Sequence, residues 1–559
     1  MNRNNLIQWI LSLLFGVAIA LFGALVHPEL FSWHEQNQMF LCTSGYFMER
    51  ITVAGGLADY VSEFLTQFYL YPAIGATILA VIYVALQLML HATFRGYQAG
   101  KDMPWASFVL SFLPVTVLCG VMGEMDMLLS FPVALLLSLC TYLLCRRLGY
   151  FGQLVASLPL YWLVGPAFIV QVLLAMTDEL AGNRKWTVRS LRAIILLCIA
   201  IAWVGICRTL WVAQYPWDTV LAGINYHRLT LMTLKVPAGV YVVMILMAIA
   251  PTIVLTLNTV RQRSKAKSFD TLCALCLAII LGIAINNSTG DASYEPNSYA
   301  MLRQMMLVRK GDWQGVIDHA REMVKQDNEY IKTPLSSTSV NLALAMTKQL
   351  SSNMFLLPQR GMQGLIMPRV RDNVSDVSSM EIFWQLGFIN ESMRYAFDTQ
   401  ESIVNCRKSS RYTQRMAECN IVNGKYDVAS KYIDQLKHTL FYRDWAEHAE
   451  EYLYQEEKIN NYTPWTIRRQ FRLEEDFLFY YPEMTKMIGH LVLHNRQNTL
   501  AFDYFMAALL LEGDQKSFIA NLPQRPAPGV DPFPQGYKEY VEFMQKNANS
   551  ADAVTGASY

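Results

Sequence analysis

The chain has 559 residues, 53% hydrophobic and 16% charged, with a formal net charge of +1. That length leaves room for several domains, and the near-balance of charge hides two unlike halves. The ten cysteines exclude a disulfide framework, because Cys119, Cys140, Cys145, Cys198, Cys207, Cys273 and Cys276 lie in or beside apolar segments, where a free thiol behaves as a small hydrophobe.

A helix needs about 20 apolar residues to cross roughly 30 Å of hydrocarbon. Spans are predicted over 6–26, 71–92, 105–122, 127–145, 191–213, 236–258 and 270–286. The first has too long an apolar core for a signal peptide and no small-x-small cleavage site after it, so it reads as a retained anchor. The stretch 151–177 is interrupted by Gly165-Pro166, and proline inside a helix kinks or ends it. It is either one crossing or a hairpin of two short helices.

Basic residues decide between the two, because they collect on the cytoplasmic side of a membrane. With a hairpin, Arg3, Arg95, Arg146, Arg147, Arg184, Arg192 and Arg261 share one side, and only Arg50, Arg208, Arg228 and Lys235 face the other. The expectation is nine passes in a bacterial inner (cytoplasmic) membrane. The N-terminus would be cytoplasmic and everything after Asn286 periplasmic.

Three loops then share the outer face. Residues 27–70 carry Glu29, His34, Glu35, Glu49, Asp59 and Glu63, with apolar residues at helical spacing; the short turn after the third span carries Glu124 and Asp126; 214–235 carries Trp217, Asp218, His227, Arg228 and Lys235. A carboxylate against an apolar wall is a candidate general base, since partial desolvation raises its pKa toward neutrality. Paired carboxylates such as Glu124 and Asp126 suit a divalent metal ion. Arg208, Arg228 and Lys235 suit a lipid-linked phosphate. Plainer roles compete: an acidic residue in an outer loop is commonly just solvated, and Arg208 at the end of its span can snorkel to the interface.

Residues 290–549 carry helical patterns punctuated by Gly and Pro, with no strand-like alternation. Three segments, beginning Gly311-Asp312-Trp313, Gly387-Phe388-Ile389 and Gly424-Lys425-Tyr426, share the signature of the turn and second helix of a tetratricopeptide-like repeat. A TPR-like helical solenoid is predicted, with 350–368 an irregular apolar insertion and 550–559 a disordered tail. The fold class is therefore all-α: a polytopic helical bundle over 1–289 followed by the solenoid over 290–549. No phosphate-binding loop, dinucleotide fingerprint, zinc spacing or basic aromatic face for nucleic acid occurs.

The long first outer loop with acidic residues, the acidic Glu124/Asp126 turn, the paired short helices and the C-terminal domain together resemble the GT-C class of membrane glycosyltransferases. The resemblance covers the layout of roughly residues 1–290. It implies transfer of a sugar from a polyprenyl-phosphate carrier, with Glu35 and His34 as catalytic candidates and Glu124/Asp126 as a second acidic site that could hold a divalent metal. Where that class commonly places an acidic pair, this loop has His34-Glu35. The strings EQNQMFL, GGLADYVSEFLTQF and NGKYDVASKYIDQLKHTLFYRDWAE also resemble a Bacteroidetes family of integral membrane proteins that brings no established activity. Two functions stay open: a GT-C-like transferase whose helical domain docks an acceptor, and an inactive membrane-anchored scaffold binding an envelope protein through its repeats.

Overall fold

The computed structural model describes residues 3–97, 104–182, 184–228, 238–264, 269–403, 407–474, 479–524 and 535–543. Lys235 and the tail 550–559 lie outside these residues. The chain divides into two compact units, Met1–Glu295 and Pro296–Tyr559. Among the described residues the regular elements are helices, and strand-like pairing is limited to two isolated bridges, Met127 with His227 and Arg360 with Met362.

The N-terminal unit begins with α1 (Arg3–Leu21), followed by α2 (Pro28–Gln36), α3 (Ser44–Ile51) and α4 (Gly56–Thr66). Long helices come next: α5 (Pro72–Tyr97), α6 (Pro104–Val121) and α7 (Ser130–Cys145). The interrupted stretch forms α8 (Gly149–Val164) and α9 (Phe168–Ala181). The unit closes with α10 (Trp186–Leu210), the short α11 (Trp217–Ala222), α12 (Ala238–Ser264) and α13 (Phe269–Thr289).

Among the described residues, six helical stretches are long and apolar enough to cross a membrane: Arg3–Val26, Pro72–Tyr97, Ser130–Ala181, Trp186–Leu210, Ala238–Arg261 and Phe269–Thr289, with Trp105–Val121 a shorter apolar helix. The third of these runs through α7, α8 and α9, whose 16, 16 and 14 residues give about 24, 24 and 21 Å at about 1.5 Å per residue. None of the three alone matches roughly 30 Å of hydrocarbon. Their protein environment compensates: 61% of that stretch's most apolar window is buried inside the unit, against 0% for α13. Some of the polar groups that enter the interior link helices. Ser12 donates to Gln87 (2.8 Å) and Gln87 to Ser111 (2.8 Å), tying α1, α5 and α6 together.

The chain reverses at Gly165, whose φ of +73° is open mainly to glycine. Ion pairs then gather the ends of α7 and α9 and the start of α10 at one end of the bundle. Asp178 near the end of α9 accepts from Tyr142 and Arg146 at the end of α7 (both 2.8 Å), and Glu179 pairs with Arg192 at the start of α10 (3.4 Å).

In the C-terminal unit, α14 (Pro296–Lys310) and α15 (Trp313–Lys325) flank Gly311, and α16 (Pro334–Met346) and the short α17 (Leu350–Asn353) follow. Next, α18 (Ser375–Leu386) and α19 (Ile389–Glu401) flank Gly387, and α20 (Ser410–Val422) and α21 (Tyr426–Lys437) flank Gly424. Then come α22 (Arg443–Glu450), α23 (Glu456–Asn461), α24 (Thr463–Phe471) and α25 (Met484–His494), and finally α26 (Thr499–Glu512) and α27 (Gln515–Asn521), which flank Gly513. All four glycines have positive φ, as the left-handed stop of a helix requires. Gly424 shows the pattern in full: Gly424 N–H donates to Ile421 (3.0 Å) and Lys425 N–H to Asn420 (2.8 Å).

Candidate functional site

Opposite the Asp178 end of the bundle, three segments far apart in sequence are knitted together. The helix α2 brings Trp33, His34 and Glu35, all buried. The turn after α6 brings Glu124, Met125 and Asp126, and the segment after α11 brings Asn225 to Arg228. Trp33 Nε1 donates to the Met125 carbonyl (3.0 Å). Leu128 N–H donates to the Tyr226 carbonyl (2.9 Å) and Arg228 N–H to the Asp126 carbonyl (2.7 Å), so the turn and the late segment form one antiparallel patch through Met127 and His227. Ser130 at the start of α7 donates to the Asn225 carbonyl.

The same patch is anchored on the helix break. The Tyr226 hydroxyl donates to the Val164 carbonyl and accepts from Ala167 N–H (3.0 Å). Gly165 and Pro166 free those backbone groups from the helix ladder, and a buried unpaired backbone group is costly. From the first loop, Gly55 N–H donates to the Trp162 carbonyl (2.9 Å), and Trp162 Nε1 donates to Ile51 (2.8 Å). A second buried constellation holds that loop: Glu63 accepts from Tyr46 (2.7 Å) and Arg50 Nε (2.8 Å), with Arg50 over the Tyr46 ring. Burial works against the Arg50 charge, but Glu63, Tyr46 and Asp59 outweigh it and the guanidinium is held above its ordinary range.

Arg228 is the hub. Its guanidinium is buried and donates to the His34 carbonyl (3.4 Å), and its charge acts on both neighbouring segments. Burial first, then Arg228, pushes the His34 imidazole well below its usual range, so His34 is neutral. Burial raises Asp126, and Arg228 opposes part of that rise. Glu124 is raised by burial and by Asp126 beside it. His227 is lowered by burial, and neither of its ring nitrogens has a hydrogen-bond partner.

Of the seven residues singled out from the sequence, His34, Asp126 and Arg228 are brought into one cluster. Glu35 lies on the same buried helix, and Glu124 is exposed at the rim. Arg208 is engaged elsewhere, donating to the Tyr215 carbonyl (3.4 Å) with its guanidinium over the Trp217 ring. The described residues contain no group of three or more His, Cys, Asp or Glu suited to a metal ion; Glu124 and Asp126 remain a pair. Residue reading missed Trp33 and Tyr226, which position the cluster. The only sequence signals were their places beside His34 and within Tyr226-His227-Arg228.

No curated protein and no solved structure matches the chain. A family model matches residues 3–558, and the chain belongs to that family of unknown function (DUF6057).

Proposed function

We propose that this is a GT-C-like membrane transferase, moving a sugar from a polyprenyl-phosphate donor on the periplasmic side of a bacterial inner membrane. One observation carries the reading: the buried Arg228 and His34 and the partly buried Asp126, drawn from three separate segments, occupy one polar cluster at one end of the bundle. An arginine there suits a phosphate oxygen bidentately. A carboxylate raised toward neutrality, as Asp126 and Glu124 are, suits proton transfer. The electrostatics thus favour this pair as the acid–base group, with Glu35 as a second carboxylate. In this reading the bundle crosses the membrane nine times with α8 and α9 as a hairpin, because the basic residues Arg146 and Arg192 then lie at the cytoplasmic end. The helix–Gly–helix pairs of the C-terminal unit form a TPR-like solenoid that holds the acceptor.

The burial of Glu35 favours a second reading, in which the site is closed and the protein is a membrane-anchored scaffold for an envelope protein. Purified protein in proteoliposomes separates the two when assayed with radiolabelled polyprenyl-phosphate sugars. Transferase action predicts turnover that falls at least 100-fold in Asp126→Asn and Glu35→Gln, with unchanged melting temperature. It also predicts a KM raised about tenfold or more in Arg228→Lys. Absence of turnover across the donors, with a folded protein that retains an envelope partner, supports the scaffold. Reporter fusions after Ser264 and after Asn297 test the topology, and finding both on one side removes the nine-pass arrangement.

A further inference from the structure

An apolar cavity of about 270 Å³ lies in the N-terminal unit between α1, α5, α6 and α13. Its walls include Phe15, Ile19, Phe31, Leu79, Cys119 and Met122. Two features separate it from an ordinary packing gap. The lining residues Ala18 and Ile285 are exposed, and they sit on α1 and α13, the two helices least buried in the unit, so the cavity opens sideways at the apolar surface of the bundle. The second feature is Thr116. It is buried, it lines the cavity, and its hydroxyl has no hydrogen-bond partner. Threonine in an apolar helix ordinarily bonds the carbonyl one turn back, as Thr93 does to Met89 (3.0 Å). An unused buried hydroxyl is costly unless something else accepts from it.

The polar end of the cavity is formed by His27, which pairs with Glu29 (3.1 Å) and stacks on Tyr294 with ring centroids 4.4 Å apart. No arginine or lysine is among the lining residues, so nothing in the cavity itself neutralises a phosphate monoester. From this arrangement we infer that the cavity holds one fatty-acyl chain of a bilayer glycerolipid, whose ester carbonyl accepts from the Thr116 hydroxyl. The chain enters laterally between α1 and α13, apolar surface meets apolar surface, and the unpartnered Thr116 hydroxyl finds its acceptor where an acyl chain carries its carbonyl. This site does not depend on the transferase reading, because it shares no residue with the Arg228 cluster.

Native mass spectrometry of the intact protein, released from nanodiscs containing phosphatidylethanolamine, phosphatidylglycerol and a polyprenyl phosphate, tests it. One tightly held phosphatidylethanolamine or phosphatidylglycerol per chain is expected after the annular lipids are stripped. Cys119→Phe, which fills the cavity, should lose it, and Leu79→Phe repeats that test if Cys119→Phe does not fold. Thr116→Val keeps the wall shape and should lower retention several-fold at unchanged melting temperature. No retained lipid, equal retention in the folded cavity-filling variants, or retention of the polyprenyl phosphate instead of a glycerolipid would overturn the inference.

Discussion

Glu381 in the C-terminal unit and Arg228 in the N-terminal unit are both buried charges, and their surroundings differ in kind. Glu381 accepts from Arg411 (3.1 Å) and from Arg415 through both carboxylate oxygens (3.1 and 2.9 Å), and Arg415 also lies over the Trp384 ring at 4.2 Å. Burial alone would raise the Glu381 carboxyl; Arg415 and Arg411 outweigh it and hold it below its ordinary range. The charge is matched by opposite charge, and its role is architectural. Beside Arg228 the neighbouring groups are matched more loosely: Asp126 is shifted upward by burial, and His227 uses neither nitrogen. Buried polar groups held with unused capacity are more characteristic of sites than of scaffolding.

The largest expected effect lies on the matched side. Glu381→Ala removes the buried carboxylate that Arg411 and Arg415 share, leaving Arg415 only Glu418 (3.0 Å), and should cost about 3–5 kcal/mol, read by denaturant unfolding of the full chain in detergent. A cost below about 1 kcal/mol would place the Glu381 cluster with ordinary surface pairs.

Asp376 gives the comparison a pH axis. Burial first, then Asp372 and Asp398, raise its carboxyl to about 7, while the unfolded chain releases that proton near about 4. The folded form therefore binds more protons between those values, and the Asp376 contribution to stability falls as pH rises through that window. Asp376→Asn should match the wild type in melting temperature near pH 4 and exceed it near pH 8. Parallel pH profiles would remove Asp376 as the source.

On the looser side, Tyr226→Phe strands the Val164 carbonyl and the Ala167 N–H, at about 1–3 kcal/mol. It should also raise hydrogen exchange around Gly165 without altering the C-terminal unit. The smallest effect is expected at Gly424, where a φ of +71° with open space around the position leaves backbone strain alone. Gly424→Ala should cost about 1 kcal/mol, whereas Gly387→Ala should cost more, because its new Cβ would meet the Phe471 backbone at 2.8 Å.

The helices were legible because hydrophobic runs and glycine stops are local properties. The runs 71–92 and 270–286 correspond to α5 and α13, and Gly311, Gly387 and Gly424 sit at helix ends with positive φ. Gly513 has the same role but lacks the aromatic residue two places on that marked Gly311 and Gly424. Gly165-Pro166 signalled a break from composition alone, since proline removes a donor and glycine admits the reversal.

What residue order determined by itself, then, is where the chain is apolar, where helices stop, and which half is suited to hydrocarbon, because each depends on neighbours within a few turns. Tertiary structure alone decided which polar residues meet. Trp33 with Met125, Tyr226 with the break at Gly165, and Arg228 with His34 are contacts across 92, about 60 and 194 positions. Nothing local encodes such pairings. They follow from packing the long helices so that three loops arrive at one end, where buried backbone and charge must find partners in one another.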